Sequence, residues 1–201
     1  MKSIFIVLDG LDGSGKGEMT KRLNDYLAKK GLKVLVTREP TDGKYGKEIR
    51  NILRQEKDPR SGAEKCLDLF VKDRKEHLVQ DIEPFLKEEN GVVICDRYYY
   101  STIAFQQTQG IDVEDLIIKN MGFRTPDIAF ILDLPVEMAL ERIDKRGEAK
   151  EKFEEISFMK ELRQNFLNLK KSIADNINII DASKTKDVVF DQIKKELDKL
   201  L

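Results

Sequence analysis

Apolar residues along this chain gather in short runs that alternate with amphipathic stretches, the rhythm of buried strands separated by helices. Ile4-Phe5-Ile6-Val7-Leu8 is unbroken, whereas Met19, Leu23 and Leu27 recur at helical spacing among polar neighbours. Gly31 offers that helix a stop, and Val34-Leu35-Val36 follows as a short strand ending at Thr37-Arg38-Glu39-Pro40. From Gly43 to Gln55, Ile49, Ile52 and Leu53 predict a short helix carrying Arg50 and Arg54. Ser61-Gly62-Ala63-Glu64 has capping-box spacing and opens a long helical stretch through Leu86, bent near Pro84.

Val92-Val93-Ile94-Cys95 is nearly all apolar, as expected of a parallel strand covered on both faces, and it ends at Asp96-Arg97. Asp112 caps a helix to Met121, Pro126-Asp127 introduces a strand Ile128–Leu134, and Pro135 starts a helix Val136–Arg146 that Gly147 breaks. Beyond the polar stretch Glu148–Glu155 lie a helix around Met159–Lys171 and a fifth strand, Ile177–Ile180. A closing helix follows, with Val189, Ile193, Leu197 and Leu200 on one face. The prediction is an α/β fold: a doubly wound, five-stranded parallel sheet with helices on both faces. Ligands of such sheets bind past the carboxyl ends of the strands, and Asp9, Arg38, Asp96, Asp133 and Asp181 all fall at or just after predicted strand ends. Polar groups from across the sequence would then meet on one rim.

Composition narrows the partners. The 201 residues contain no linker or shift in composition, so one domain is expected. Lys and Arg total 36 against 37 Asp and Glu, so no global field favours nucleic acid or a membrane surface, and any positive patch is local. No apolar run approaches the roughly 20 residues of a spanning helix. Cys66 and Cys95 lack metal-ligand spacing and Met1 leads almost directly into the first strand, which predicts a cytoplasmic protein with reduced thiols. Charged residues at 36% without Trp suit a heat-stable surface and a lysine-rich mesophile alike. His77, the only histidine, has no partner pattern and reads as a surface residue; Tyr98-Tyr99-Tyr100 reads as packing or as a stacking platform.

The strongest chemical signal is Gly10-Leu11-Asp12-Gly13-Ser14-Gly15-Lys16, a G-x-x-x-x-G-K turn between a strand and a helix. Glycines let the backbone N–H groups turn inward, the helix adds its positive end, and Lys16 reaches the outer phosphates of a nucleoside triphosphate. The pattern calls next for Ser or Thr, whose hydroxyl ligates Mg²⁺, yet Gly17 and Glu18 stand there. Glu18 reads either as a ligand for a metal-bound water or as a favourable first-turn carboxylate. Asp96-Arg97 offers a carboxylate for Mg²⁺ and a guanidinium for phosphate, or a plain surface ion pair. Phe70 and Arg74, at i,i+4, offer a base clamp, or a core ring beside a solvated cation.

These residues resemble the thymidylate kinases, P-loop nucleoside monophosphate kinases, along nearly the whole chain. The match is carried by Asp9 through Lys16, Thr37-Arg38-Glu39-Pro40, Leu69-Phe70 with Arg74, Pro126-Asp127 and Asp181-Ala182-Ser183. Its most specific part is Asp96-Arg97-Tyr98 with Ser101-Thr102-Ile103-Ala104-Phe105-Gln106. The resemblance implies a P-loop NTPase-type sheet with a short lid at about 142–155 and a monophosphate-binding region at about 38–80. It also implies phosphorylation of dTMP to dTDP with ATP and Mg²⁺ in deoxynucleotide (dTTP) biosynthesis, and a homodimer formed by the helices from Ser61 and around Ser101.

Carried over residue by residue, the resemblance implies that Phe70 stacks on thymine and Arg74 bonds its edge, while Arg50 and Arg97 hold the acceptor phosphate. Asp12 meets the sugar 3′-hydroxyl, Ser101 and Gln106 lie near the base, and Phe105 crowds the 2′ position. Lys16 bridges donor and acceptor phosphates, Asp96 and Asp9 organise Mg²⁺, and Ala182 flanks adenine. Gly13 stands where some members place a catalytic arginine, which moves that role to Arg142, Lys145 and Arg146 in the lid; those residues equally suit a helix C-terminus. Two other readings stand beside this one: a kinase for another monophosphate, and a catalytically weak nucleotide binder. A GTPase is disfavoured, because no N-K-x-D signature is present.

Overall fold

The computed structural model describes residues 3–55, 58, 62–145 and 156–201. Its sheet has five parallel strands, β1 (Ile4–Gly10), β2 (Lys33–Arg38), β3 (Gly91–Asp96), β4 (Ile128–Asp133) and β5 (Ile177–Asp181), in the order β2-β3-β1-β4-β5. Strand order reverses beside β1, the central strand, so the loop after β1 opens at the switch point where ligands of such sheets bind. Every residue of β1 is buried, as two-sided coverage requires, whereas the edge strand β2 has only half-buried and exposed positions.

Helices α1 (Lys16–Lys29) and α9 (Lys186–Leu197) pack on each other, as do α5 (Tyr99–Thr108) and α8 (Ile156–Ser172), and between them they cover both sides of the sheet. The remaining helices are α2 (Lys44–Gln55), α3 (Ala63–His77), α4 (Glu83–Phe85), α6 (Val113–Asn120) and α7 (Val136–Asp144). A small second core of Ile49, Ile52, Cys66 and Leu69 joins α2 to α3 and takes the half-buried ring of Phe70 against it. Among the described residues no helix is long and apolar enough to cross a membrane.

The five strands and the doubly wound order match the expectation from the apolar runs. Asp112 caps α6 as predicted, accepting from the N–H groups of Glu114 at 2.8 Å and Asp115 at 3.4 Å. The bend expected at Pro84 appears as a π-helical turn, Leu78–Ile82, between α3 and α4. Proline lacks an N–H and its ring crowds the carbonyl four residues earlier, so the ladder widens just before it. At the start of α3 the N-cap position is Gly62, with φ 70° and no side-chain cap; Ser61 lies outside the described residues, as do Arg146, Gly147 and the lid from 146 to 155.

Two readings are corrected, and for the tyrosines the packing alternative holds. His77 is not a surface residue: it is 2% exposed, its Nε2 lying 2.7 Å from Thr37 Oγ1, because α3 turns this edge onto β2. All three rings of Tyr98-Tyr99-Tyr100 are packed, and the hydroxyls of Tyr99 and Tyr100 both donate to Asp175. The helix around Ser101 offers no apolar outer face, since eight of the ten residues of α5 are buried within the chain; the exposed apolar side chains nearby are Val79, Ile118 and Met121.

Asp127 ties the entrance of β4 to β1: its N–H donates to the Phe5 carbonyl at 2.9 Å and its Oδ2 accepts from the Phe5 N–H at 2.8 Å. Replacing Asp127→Ala leaves a sheet donor without its acceptor, and chemical denaturation should show a loss of about 1–3 kcal/mol.

Candidate active site

The loop after β1 closes on itself before α1 begins. The Ser14 N–H donates to the Leu11 carbonyl at 3.2 Å, and Gly15 enters α1 with φ 98°, in the left-handed region that glycine adopts without strain. Lys16 folds back across the loop, its Nζ 3.1 Å from the Gly10 carbonyl, 2.9 Å from that of Leu11 and 3.8 Å from the Asp12 carboxylate. Burial, and then the nearby Arg97 charge, pull the Lys16 ammonium below the ordinary lysine pKa. Gly13 has φ 78°, and a Cβ there would lie 2.6 Å from the Ala139 carbonyl, so the backbone has no place for an arginine at this position. By contrast, a Cβ on Gly17 meets nothing within 4 Å.

Beside this loop lies a cavity of about 470 Å³ whose walls include Gly13, Ser14, Glu18, Arg142, Ala182 and Lys186. Ser14 Oγ is buried and has no hydrogen-bond partner, a polar group left open in the cradle. Arg142 spans the cavity, Nη1 donating to the Gly13 carbonyl at 3.4 Å and Nη2 to that of Ala182 at 3.2 Å. It therefore does more than complement the end of α7. Lys145 pairs with Glu141 at 2.6 Å on the exposed side, and Arg146 lies outside the described residues. Glu18 points to neither solvent nor metal alone, for its two oxygens meet Arg22 Nε at 2.9 Å and Lys186 Nζ at 3.3 Å, and these two bonds lower its pKa.

On the other side of the cradle the ends of β1 and β3 meet. Asp9 is fully buried, and its carboxylate accepts from five donors: the N–H groups of Gly10, Tyr98 and Ser101, the Ser101 hydroxyl at 2.6 Å and, at 3.5 Å, Arg97 Nη1. Burial raises its pKa although Arg97 and Ser101 work against the rise. Arg97, with φ 71°, reaches Ser101 Oγ at 2.7 Å, the Gly10 carbonyl at 3.2 Å and Asp12 at 2.6 Å. Burial would lower its pKa, but the carboxylates of Asp12, Asp9 and Asp96 outweigh burial and hold it above the ordinary value. Asp96 is half-buried with Oδ1 enclosed and unpartnered. Such an oxygen suits a water of a Mg²⁺ ion that is held chiefly by nucleotide phosphates. No group of three metal-ligating side chains exists among the described residues.

The third set lies between β2, α3, α5 and α6. Arg74 is wholly enclosed, which excludes the solvated reading. Its Nε and Nη2 lie 2.9 and 2.7 Å from Glu39 Oε2, Nη2 donates to Thr102 Oγ1 at 2.9 Å and Nη1 to Asn120 Oδ1 at 2.5 Å. A guanidinium carries five N–H groups, so one Nη1 hydrogen is left uncommitted by these bonds. His77 Nδ1 lies 3.2 Å from Glu39 Oε1, extending the network to Thr37. Arg50, on α2, donates to the carbonyls of Pro40 at 3.0 Å and Thr41 at 2.8 Å and meets Asp42 at 3.1 Å, at the rim of β2. Phe105 lies under Arg97, 5.6 Å from guanidinium carbon to ring centre, whereas buried Gln106 turns to Gln109 at 3.0 Å.

A model of the family described as thymidylate kinase matches residues 8–193. The chain belongs to the thymidylate kinase family. It is 40% identical to a probable thymidylate kinase of Pyrococcus horikoshii, over 95% of this chain and 94% of that protein. To the thymidylate kinase of Desulfotalea psychrophila it is 36% identical over 96% and 95% of the two chains. For the thymidylate kinase of Leptospira interrogans the figures are 35% over 95% and 92%. A kinase assignment fits a rim where a phosphate cradle, an unpartnered carboxylate and several guanidinium groups meet.

Spacing gives no role to Glu39 or Asn120 and puts His77 at the surface. Glu39 stood only as part of a turn before proline, and nothing in periodicity tells an inward acid from an outward one there. Thr102 sat inside the quoted motif without a role. Breaking the buried Glu39–Arg74 pair leaves an uncompensated guanidinium, so Glu39→Ala should cost about 3–5 kcal/mol in denaturant unfolding. Glu39→Gln keeps an acceptor but not the charge, so it should recover only part of that loss.

Proposed function

We propose that this kinase transfers the γ-phosphoryl group of ATP to the 5′-phosphate of dTMP, giving dTDP and ADP for deoxynucleotide synthesis in the cytoplasm. The observation that carries the proposal is the meeting, at one strand-end rim, of the Gly10–Lys16 cradle with the Asp96-Arg97 turn, the latter holding an enclosed and unpartnered carboxylate oxygen. Phosphoryl transfer needs little covalent chemistry from the protein, and positioning with charge stabilisation does most of the work.

In this reading the backbone of Leu11 through Gly17 holds the donor phosphates, Lys16 leaves its two loop carbonyls to bridge donor and acceptor, and Arg142 follows the developing charge from the side of Ala182. Arg97 and Arg50 hold the acceptor phosphate, with Asp12 at the sugar. Phe70 stacks on the base, Arg74 presents its uncommitted N–H to a carbonyl on the base edge, Ser101 and Gln106 line that side, and Phe105 disfavours a 2′-hydroxyl. Mg²⁺, when bound, neutralises charge between the phosphates; Asp96 would hold its waters. Asp9, whose lone pairs already serve five donors, acts through the loop it organises. A homodimer belongs to the same reading. It is supported by the exposed apolar Val79, Ile118 and Met121, whose segments the Lys119–Asp68 and Arg124–Glu83 ion pairs hold side by side.

The test is ADP release from ATP and Mg²⁺ with a panel of nucleoside monophosphates. Thymidylate should be the best acceptor and deoxyuridylate next; a roughly tenfold preference for adenylate or cytidylate would reassign the acceptor. Lys16→Ala should lose on the order of 10²–10³ in rate with the fold intact. Asp96→Asn should lower turnover strongly, while Gly17→Thr, which places a hydroxyl in open space, should maintain or raise it. ATP binding without transfer, with activity gained only in Gly17→Thr, would favour a weak nucleotide binder.

A further inference from the structure

The pair Gly17-Glu18 puts a carboxylate in the first turn of α1, on the wall of the cavity where the donor phosphates belong in the proposed reading, on which this inference rests. A phosphate at a helix N-terminus lies within a few ångströms of that turn, and two like charges at about 4 Å repel by about 1 kcal/mol even in water and by several in a partly buried site. Left alone, Glu18 would oppose the ligand that the cradle attracts.

It is not left alone. Lys186 Nζ lies 3.3 Å from Oε2, Arg22 Nε lies 2.9 Å from Oε1, and Arg22 Nη1 reaches Asp187 at 2.7 Å. Lys186 and Asp187 form the first turn of α9, which Thr185 caps by accepting from the Val188 N–H. The network therefore joins the start of α1 to the start of α9, just past the Ala182 loop, and Lys186 lines the same cavity as Glu18. Arg22 is further held over the Phe190 ring of α9 at 6.0 Å.

We propose that Lys186, supported by Arg22, is a positioning and charge-compensating residue for the donor nucleotide, acting through Glu18: it cancels the carboxylate beside the phosphates and fixes the two helix ends that flank the cavity. A hydroxyl at position 18 would need no such partner. Donor affinity in this chain is thereby made dependent on a pair of residues 168 positions apart.

A double-mutant cycle tests this, with equilibrium titration of ATP and steady-state rates on the full chain. Lys186→Met should raise the ATP Kd and KM about three- to tenfold, with kcat within about twofold and an unchanged melting temperature. Glu18→Gln should tighten ATP binding. In the Glu18→Gln background, Lys186→Met should cost less than about twofold. An equal cost in both backgrounds would mean that Lys186 meets the nucleotide itself, and no cost in either would mean that the pair is idle; each result overturns the proposal. Failure of the donor-site reading is separately visible, because the unmutated chain would then not bind ATP at all, and the proposal would fall with it.

Discussion

A carboxylate taken out of water at the centre of a sheet is costly unless donors replace the water, and Asp9 is such a group. Its five donors come from three places: the residue that starts the phosphate loop, the turn after β3, and the first turn of α5. Through them the end of β1 dictates where the loop begins, why Arg97 keeps a left-handed backbone, and how α5 leaves the sheet. Burial raises the pKa of Asp9 in spite of these donors. What the fold gains is a rim on which Lys16, Arg97 and Asp12 have fixed relative positions.

The architecture was legible because its signals are local. Unbroken apolar runs mark strands buried on both sides, and Met19, Leu23 and Leu27 mark the covered face of α1, all fully or nearly fully buried. The phosphate loop was legible for the same reason: glycines, lysine and flanking elements are contiguous. The region between β2 and α3 was only partly so. Phe70 and Arg74 could be placed on one helix, but whether Arg74 faced water or the interior depended on Glu39, Thr102 and Asn120, which no spacing links to it. His77 was misread for the same cause, its partners Thr37 and Glu39 lying on another element. Arg142 could be read as a helix-end cation or as part of the site until Gly13 and Ala182 were seen on either side of it.

The two halves of the rim also differ in how charge is handled. Around Arg74, Arg97 and Arg50 each guanidinium is matched by acids, buried at Glu39 and Asp9 and exposed at Asp12 and Asp42. The cavity beside the loop keeps Ser14 Oγ open, and its Glu18 carboxylate is met by Arg22 and Lys186. The departure at Gly17 is chemical rather than steric, since the space that a side chain would fill is empty.

Both halves of the rim depend on contacts between segments far apart in sequence. Arg74 finds its partners 35, 28 and 46 residues away, and the cradle, although a contiguous strand-loop-helix unit, leans on Tyr98 and Ser101, 89 and 92 residues from Asp9. Bringing distant segments together meets loop-closure entropy before any contact rewards it. The loop after β1 therefore reaches its final geometry only once β1 and β3 have come together. Opening at the turn after β3 would loosen both halves at once, since Tyr98 donates to Asp9 through its backbone and carries Arg74 over its ring.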